Sequence, residues 1–135
     1  MWACERCGRE FGRVGQGHVC VPAMTVEEYF ASRPAYEREV FEAVAEHLRS
    51  LGPVTIEPVG VGILVKKGRT FVELRPMKQW VALSMILRRV VDHPRVTRVL
   101  RMSGGRAVNY ARLRGAEDVD DVVREWITES YVEST

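Results

Sequence analysis

The spacing of apolar and polar positions changes once along the chain. Over residues 34–51 the apolar side chains Val40, Phe41, Val44, Leu48 and Leu51 recur at helical spacing, and Glu37, Glu39, Glu42 and Glu46 lie largely away from them. Pro34 suits the first turn of this helix and Gly52 with Pro53 ends it. Just ahead, Thr25-x-x-Glu28 has the form of a capping box, and Val26, Tyr29 and Phe30 predict a brief helix stopping near Ser32. From Val54 the period becomes two. Strands are predicted at residues 54–57, 62–67, 70–75, 80–87, 96–102 and 107–113, from their β-branched and aromatic content. Lys67-Gly68-Arg69 and Ser103-Gly104-Gly105 predict tight turns, and residues 76–79 a longer one. Residues 88–94 predict a loop or a short helical turn. Asp118 is the predicted N-cap of a last helix, with Asp120 and Asp121 in its first turn and Val119, Val122, Val123, Trp126 and Ile127 on one face. Short connections imply antiparallel neighbours. The expected fold class is therefore α+β, a helix, antiparallel meander sheet, helix domain with its helices packed on one sheet face.

The first twenty residues do not share this patterning. They contain all three cysteines of the chain, arranged as Cys4-x2-Cys7-x10-His18-x-Cys20, with Gly8 directly after the second and glycines at 12, 15 and 17. Two thiolates three positions apart can grip one tetrahedral ion from a tight turn, and His18 and Cys20 complete four donors. The segment has few sizeable apolar groups, Trp2, Phe11 and Val19 among them, so metal ligation would have to supply its folding free energy. Four protein donors leave no open position, which predicts a structural rather than a catalytic zinc, held by Cys4, Cys7, His18 and Cys20. A thioredoxin-like redox pair competes with this reading, but such a pair follows a strand and opens a helix, whereas this one has three residues before it and glycines behind it. Three unrelated cysteines near a frayed terminus are the remaining alternative. The expected division is a zinc-finger module over residues 1–22 and a small α+β domain over 23–135, with residues 21–24 as linker.

Composition narrows the class further. A chain of 135 residues with 46% hydrophobic and 28% charged side chains holds one ordinary core, which excludes most multidomain enzymes. No apolar run approaches membrane length, and no basic region followed by an apolar core opens the chain, so the expected location is cytoplasmic, with no membrane partner. The net charge of +2 conceals an asymmetry. Residues 61–115 hold thirteen Lys and Arg against two acidic groups, a balance of +11, while residues 1–20, 21–60 and 116–135 stand at +1, −4 and −6. Such a distribution points to an anionic partner, to internal pairing, or to an ordinary solvated face. Alternation predicts that Phe71, Glu73 and Arg75 share a face, that Val96, Arg98 and Leu100 do, with Val99 and Arg101 on the other side, and that Arg106, Val108, Tyr110 and Arg112 point one way. Arg75, Arg98, Arg106, Arg112 and Tyr110 are thus the candidate residues for binding nucleic acid or another anion. Arg6, Arg9 and Arg13 could extend that surface. A small-molecule or catalytic pocket near Glu73, Arg75 and Tyr110 is the alternative, decided by whether that face is concave or flat. His47 and His93 lack a neighbouring nucleophile motif, and no phosphate loop or dinucleotide fingerprint is present, so the sequence favours a binding protein and assigns no catalytic residue.

Several of these residues together resemble a bacterial family. Trp2-x-Cys4-x-x-Cys7-Gly8-Arg9-x-Phe11, Gln16-x-His18-x-Cys20, Tyr29-Phe30, Phe71-x-Glu73-Leu74-Arg75-Pro76, Asp92-His93-Pro94-Arg95 and residues 117–121 are similar to the domain-of-unknown-function family numbered fifty-six fifty-five, in its form with an N-terminal zinc finger. The resemblance covers nearly the whole chain, and it implies the same four metal ligands. It implies no activity. Family members often carry histidine in the last strand, where this chain has Val108-Asn109-Tyr110, so a shared catalytic base there is not expected.

Overall fold

The structure, a computed structural model, describes residues 2–18, 20–22 and 24–134; Val19 of the predicted finger and Ala23 of the predicted linker lie outside the described residues. The chain opens with two short antiparallel strands, β1 (Trp2–Ala3) and β2 (Glu10–Phe11), paired Trp2 to Phe11 and Ala3 to Glu10. Two helices follow. Helix α1 (Val26–Phe30) starts on the capping box in full: the Glu28 amide donates to the Thr25 hydroxyl oxygen at 3.1 Å, and the Thr25 amide to the Glu28 carboxylate at 3.0 Å. Helix α2 (Ala35–Leu51) buries Val40, Phe41, Val44, Ala45 and Leu48 and ends before Gly52.

Six strands then form one sheet: β3 (Thr55–Val59), β4 (Gly62–Lys67), β5 (Arg69–Pro76), β6 (Val81–Leu87), β7 (Val96–Arg101) and β8 (Ala107–Leu113). Every pairing is antiparallel, and the closing helix α3 (Asp121–Glu133) completes the α+β architecture. The spatial order is β3-β4-β5-β6-β8-β7, so the meander holds through β6 and then the last two strands exchange places. Residues 88–95 step over one strand position and deliver β7 to the edge, after which β8 returns between β6 and β7. Asn109, fully buried on β8, holds this step in place. Its Oδ1 accepts from the Val91 amide at 2.9 Å, and its Nδ2 donates to the carbonyls of Arg89 at 3.1 Å and Ala107 at 3.3 Å.

Helices and sheet share one apolar core. Ile63, Val65, Leu74, Leu83, Met85, Ala111 and Leu113 meet Val40, Phe41, Leu48, Val123, Trp126 and Ile127 on a single sheet face. No helix among the described residues is long and apolar enough to cross a membrane.

Three local expectations are corrected. The cap of the last helix is Asp120, whose carboxylate accepts from the Val123 amide at 3.1 Å; Asp118 sits in a short 3-10 turn at Ala116–Asp118 and receives the Arg114 amide instead. Phe71 does not share a face with Glu73 and Arg75, because the β4–β5 register shifts there and Phe71 turns into the core against Tyr131, ring centroids 5.9 Å apart. A second shift, between Val96 and Arg98, sends Val96 toward the core and leaves Arg98 with Leu100 on the opposite face.

Candidate metal centre and the open sheet face

The turn between β1 and β2 is a tight knuckle. The Gly8 amide donates to the Cys4 carbonyl at 2.7 Å and the Cys4 amide to the Arg9 carbonyl at 2.9 Å. Gly8 adopts φ 74°, a backbone conformation that side chains other than glycine rarely take, so the residue after the second cysteine is dictated by the turn. The knuckle brings Cys4 and Cys7 together, and the chain returns through residues 12–17 to add His18 and Cys20. The donor atoms of Cys4, Cys7, His18 and Cys20 all lie within 4.8 Å of one another. Cys4 Sγ and Cys20 Sγ are 3.7 Å apart, and His18 Nε2 stands 3.5 Å from Cys7 Sγ and 3.2 Å from Cys20 Sγ. These separations are far beyond a disulfide's and close to the ~3.8 Å edge expected between donors at about 2.3 Å from a tetrahedral ion. All three cysteines are free thiols.

The surroundings favour a ligating form. His18 Nδ1 lies 2.7 Å from the Gln16 carbonyl, so Nδ1 carries the proton and Nε2 keeps its lone pair toward the sulfurs. Backbone amides of the knuckle, Cys7 first and then Arg6, donate to the Cys4 sulfur and bring its pKa down to about 6 against the opposing effect of burial. The Cys20 thiol is pushed up, chiefly by its hydrogen bond with Cys4. The group could hold a metal ion, and the mixture of three soft thiolates with one imidazole suits a tetrahedral divalent ion.

This segment is seated on the sheet face opposite the helices. Phe11, 4% exposed, stacks on the His18 ring with centroids 4.0 Å apart, and the Lys66 ammonium sits 4.1 Å from the centre of the Phe11 ring. Lys66 Nζ also donates to the Glu10 carbonyl at 2.9 Å and pairs with Glu57 at 2.8 Å, while Arg9 Nε reaches the same carboxylate oxygen at 3.2 Å. Arg9, Glu57 and Lys66 are all buried. Arg9, which with Arg6 and Arg13 could have extended a basic surface, is part of the seat. The backbones also touch. A Cβ on Gly12 would lie 2.7 Å from the Gly68 carbonyl oxygen in the β4–β5 turn, so no larger residue fits without moving the segment.

Farther along the same face the sheet is uncovered, and the register lays out its side chains. One row crosses the strands as Glu57, Leu64, Glu73, Ser84, Tyr110 and Arg98; the next runs Arg75, Ala82 and Arg112. Arg98 stands over the Tyr110 ring at 5.1 Å, and Arg112 and Arg114 over the Trp80 ring at 4.2 and 5.6 Å. Arg75, Arg98, Arg112 and Tyr110 are thus brought to one face as predicted. Arg106 stands apart, six residues from Arg112 and so about 20 Å away at the far end of β8. Trp80 and Arg114 were missed although both keep the alternation, Trp80 two residues before Ala82 and Arg114 two beyond Arg112; they fall just outside the strands Val81–Leu87 and Ala107–Leu113. Glu73 pairs with Arg75 at 3.8 Å. The described cavities lie at the N-terminal segment, under α1 and between α2 and α3, and Glu73, Arg75 and Tyr110 line none of them.

The two remaining histidines have packing partners. His47 Nε2 lies 2.8 Å from the Thr128 hydroxyl, and burial lowers its pKa. His93 accepts the Arg95 amide at 3.1 Å on Nδ1 and meets Trp126 edge-on.

No curated protein and no solved structure matches the chain. Residues 26–134, all three helices and the whole six-stranded sheet, match the family described as Domain of unknown function (DUF5655), and the cysteine and histidine cluster ahead of them is consistent with the form carrying an N-terminal zinc finger. With most of its length matched, the chain belongs to that family.

Proposed function

We propose that Cys4, Cys7, His18 and Cys20 hold one structural zinc ion, that residues 1–22 are a finger module folded by it and seated on a domain of residues 23–135, and that the protein works by binding an anionic partner through the uncovered sheet face. The observation that carries the metal assignment is the convergence of four donor atoms within 4.8 Å with His18 Nδ1 already committed to the Gln16 carbonyl. Zinc binding would contribute on the order of 10 kcal/mol to a segment that has little core of its own. Four protein donors fill the coordination sphere, so the ion's part is to hold Phe11, Arg9 and the knuckle on β4 and β5.

The charge pattern supports the binding reading. Among the thirteen cations of residues 61–115, two near the helices have carboxylate partners, Arg89 with Glu129 at 2.8 Å and Arg95 with Asp120 at 2.6 Å. On the uncovered face Arg98, Arg112 and Arg114 make no ion pair among the described residues and lie against aromatic rings instead. Internal neutralisation therefore accounts for one part of the +11 and leaves the other directed outward. None of the described cavities is lined by Glu73, Arg75 or Tyr110, which suits a polymer or a protein surface better than a small substrate.

The metal assignment is tested by elemental analysis of the full chain purified without added metal. One zinc per chain is expected, with its loss in Cys7→Ser and a melting temperature lowered by a strong chelator. A metal-free chain whose melting ignores chelator would overturn it.

A further inference from the structure

The arrangement of the uncovered face narrows the partner. Along β6 the outward positions are Ala82, Ser84 and Ile86, and the first two, both small, form the floor of a shallow trough. Its walls are Arg75 on β5 and Arg112 on β8. Arg75 and Arg112 flank Ala82 across two strand spacings, so their backbones stand about 10 Å apart. Trp80 closes one end of the trough and Tyr110 the other, four residues along the strand, about 13 Å. A guanidinium stands over each ring, Arg98 at 5.1 Å from the Tyr110 centroid and Arg112 at 4.2 Å from that of Trp80, and planar cations and aromatic rings are both groups on which a base can stack. Most acidic groups are on the other side of the molecule, along α2 and in α3 with the turn before it; beside the trough stands Glu73, paired with Arg75 at 3.8 Å.

We infer that this trough binds single-stranded nucleic acid without strong sequence preference, with bases stacking at Trp80 and Tyr110 and the backbone phosphates held by Arg75, Arg98, Arg112 and Arg114. The inference rests on the anionic-partner reading above and names its partner. Two features select a single strand over a duplex. Base faces are available for stacking only when unpaired, and aromatic platforms serve no purpose against a closed helix. The face of a sheet also presents no protruding helix or ribbon to enter a major groove, so it would meet a duplex only at its phosphates. The planar guanidinium groups can bind phosphate oxygens in pairs, which the ammonium groups of Lys66 and Lys67 at the seated end of the sheet cannot do.

The test is fluorescence anisotropy of the zinc-loaded full chain with a labelled mixed-sequence 20-mer as a single strand and as a duplex, at about 50 mM salt, with fluorescent heparin as a polyanion lacking bases. The single strand is expected to bind at least tenfold tighter than the duplex. Trp80→Ala should cost ~5- to 100-fold in single-strand affinity and leave heparin binding unchanged, while Arg98→Glu weakens all three probes. Should Trp80→Ala lower the melting temperature, Trp80→Leu keeps the apolar volume without the extended ring and must show the same selective loss. Equal affinity for strand, duplex and heparin, with no effect of either Trp80 variant, overturns the single-strand assignment while leaving the anionic-partner reading intact. Failure of all three probes to bind overturns both.

Discussion

At the scale of single residues, two charged clusters met opposite fates in the sequence reading. The metal ligands were legible because thiolates that share an ion must sit at fixed short spacing, and Cys4-x2-Cys7 with His18-x-Cys20 displays that constraint directly. The seat beneath them was not legible. Arg9, just before β2, is far in sequence from Glu57 and Lys66 on the neighbouring strands β3 and β4, and each alone reads as an exposed strand or turn residue. Only the fold shows that Glu57 neutralises two buried cations at once, at 3.2 and 2.8 Å. A buried carboxylate in that position cannot be removed cheaply, since two desolvated cations share it. Glu57→Gln is expected to destabilise the protein by about 3 kcal/mol or more in urea unfolding, and pairing it with Lys66→Met should recover a large part of that loss. A Glu57→Gln chain of unchanged stability would show that the cluster is solvated in solution.

Elements were recovered more completely than their order. The β4 and β8 boundaries, Gly62–Lys67 and Ala107–Leu113, coincide with the predicted ones, because alternation and flanking turn residues are local signals. The exchange of β7 and β8 is not local. It depends on how an eight-residue connection is held, and the main restraint, Asn109, looks in the sequence like an unremarkable polar residue inside a strand. The register shifts at Phe71 and near Thr97 were invisible for the same reason, since a bulge moves side chains between faces without altering composition. Asn109→Ala should leave the Val91 amide and the Arg89 carbonyl without their partner in the interior, at a cost of ~2 kcal/mol. Hydrogen exchange should then accelerate over residues 88–95 and β7 ahead of β3 to β5. Uniform acceleration across the sheet would mean that this step is not a separate restraint.

For the whole molecule, the regional charges of +11 and −6 become two kinds of surface, with α3 the place where they meet. Arg89 holds the Glu129 carboxyl below its usual 4.5, by hydrogen bonds at 2.8 and 2.9 Å that outweigh burial. At Asp120 burial pushes the pKa up, but the Val123 amide and Arg95 together hold it below its usual 3.8. Burial between α2 and α3 likewise lowers His47 below its usual 6.5, against the Arg124 carbonyl, which accepts from its ring. All three groups have folded pKa values below their unfolded ones, so each contributes stability that is full above the unfolded value and is lost as pH falls through the folded one. The losses should come in two stages, the first below about pH 6.5 from His47 and the second below about pH 4.5 from Glu129 and then Asp120. His47→Gln is expected to remove the first stage and keep the second. Glu129→Gln combined with Asp120→Asn, which preserves the helix cap, should lower the melting temperature at pH 7 and converge with the parent chain near pH 3. Melting curves collected from pH 3 to 8 decide this: parallel profiles for parent and both variants would mean that the charge layers meet at α3 without coupling to folding, and that the acid sensitivity of the protein arises elsewhere.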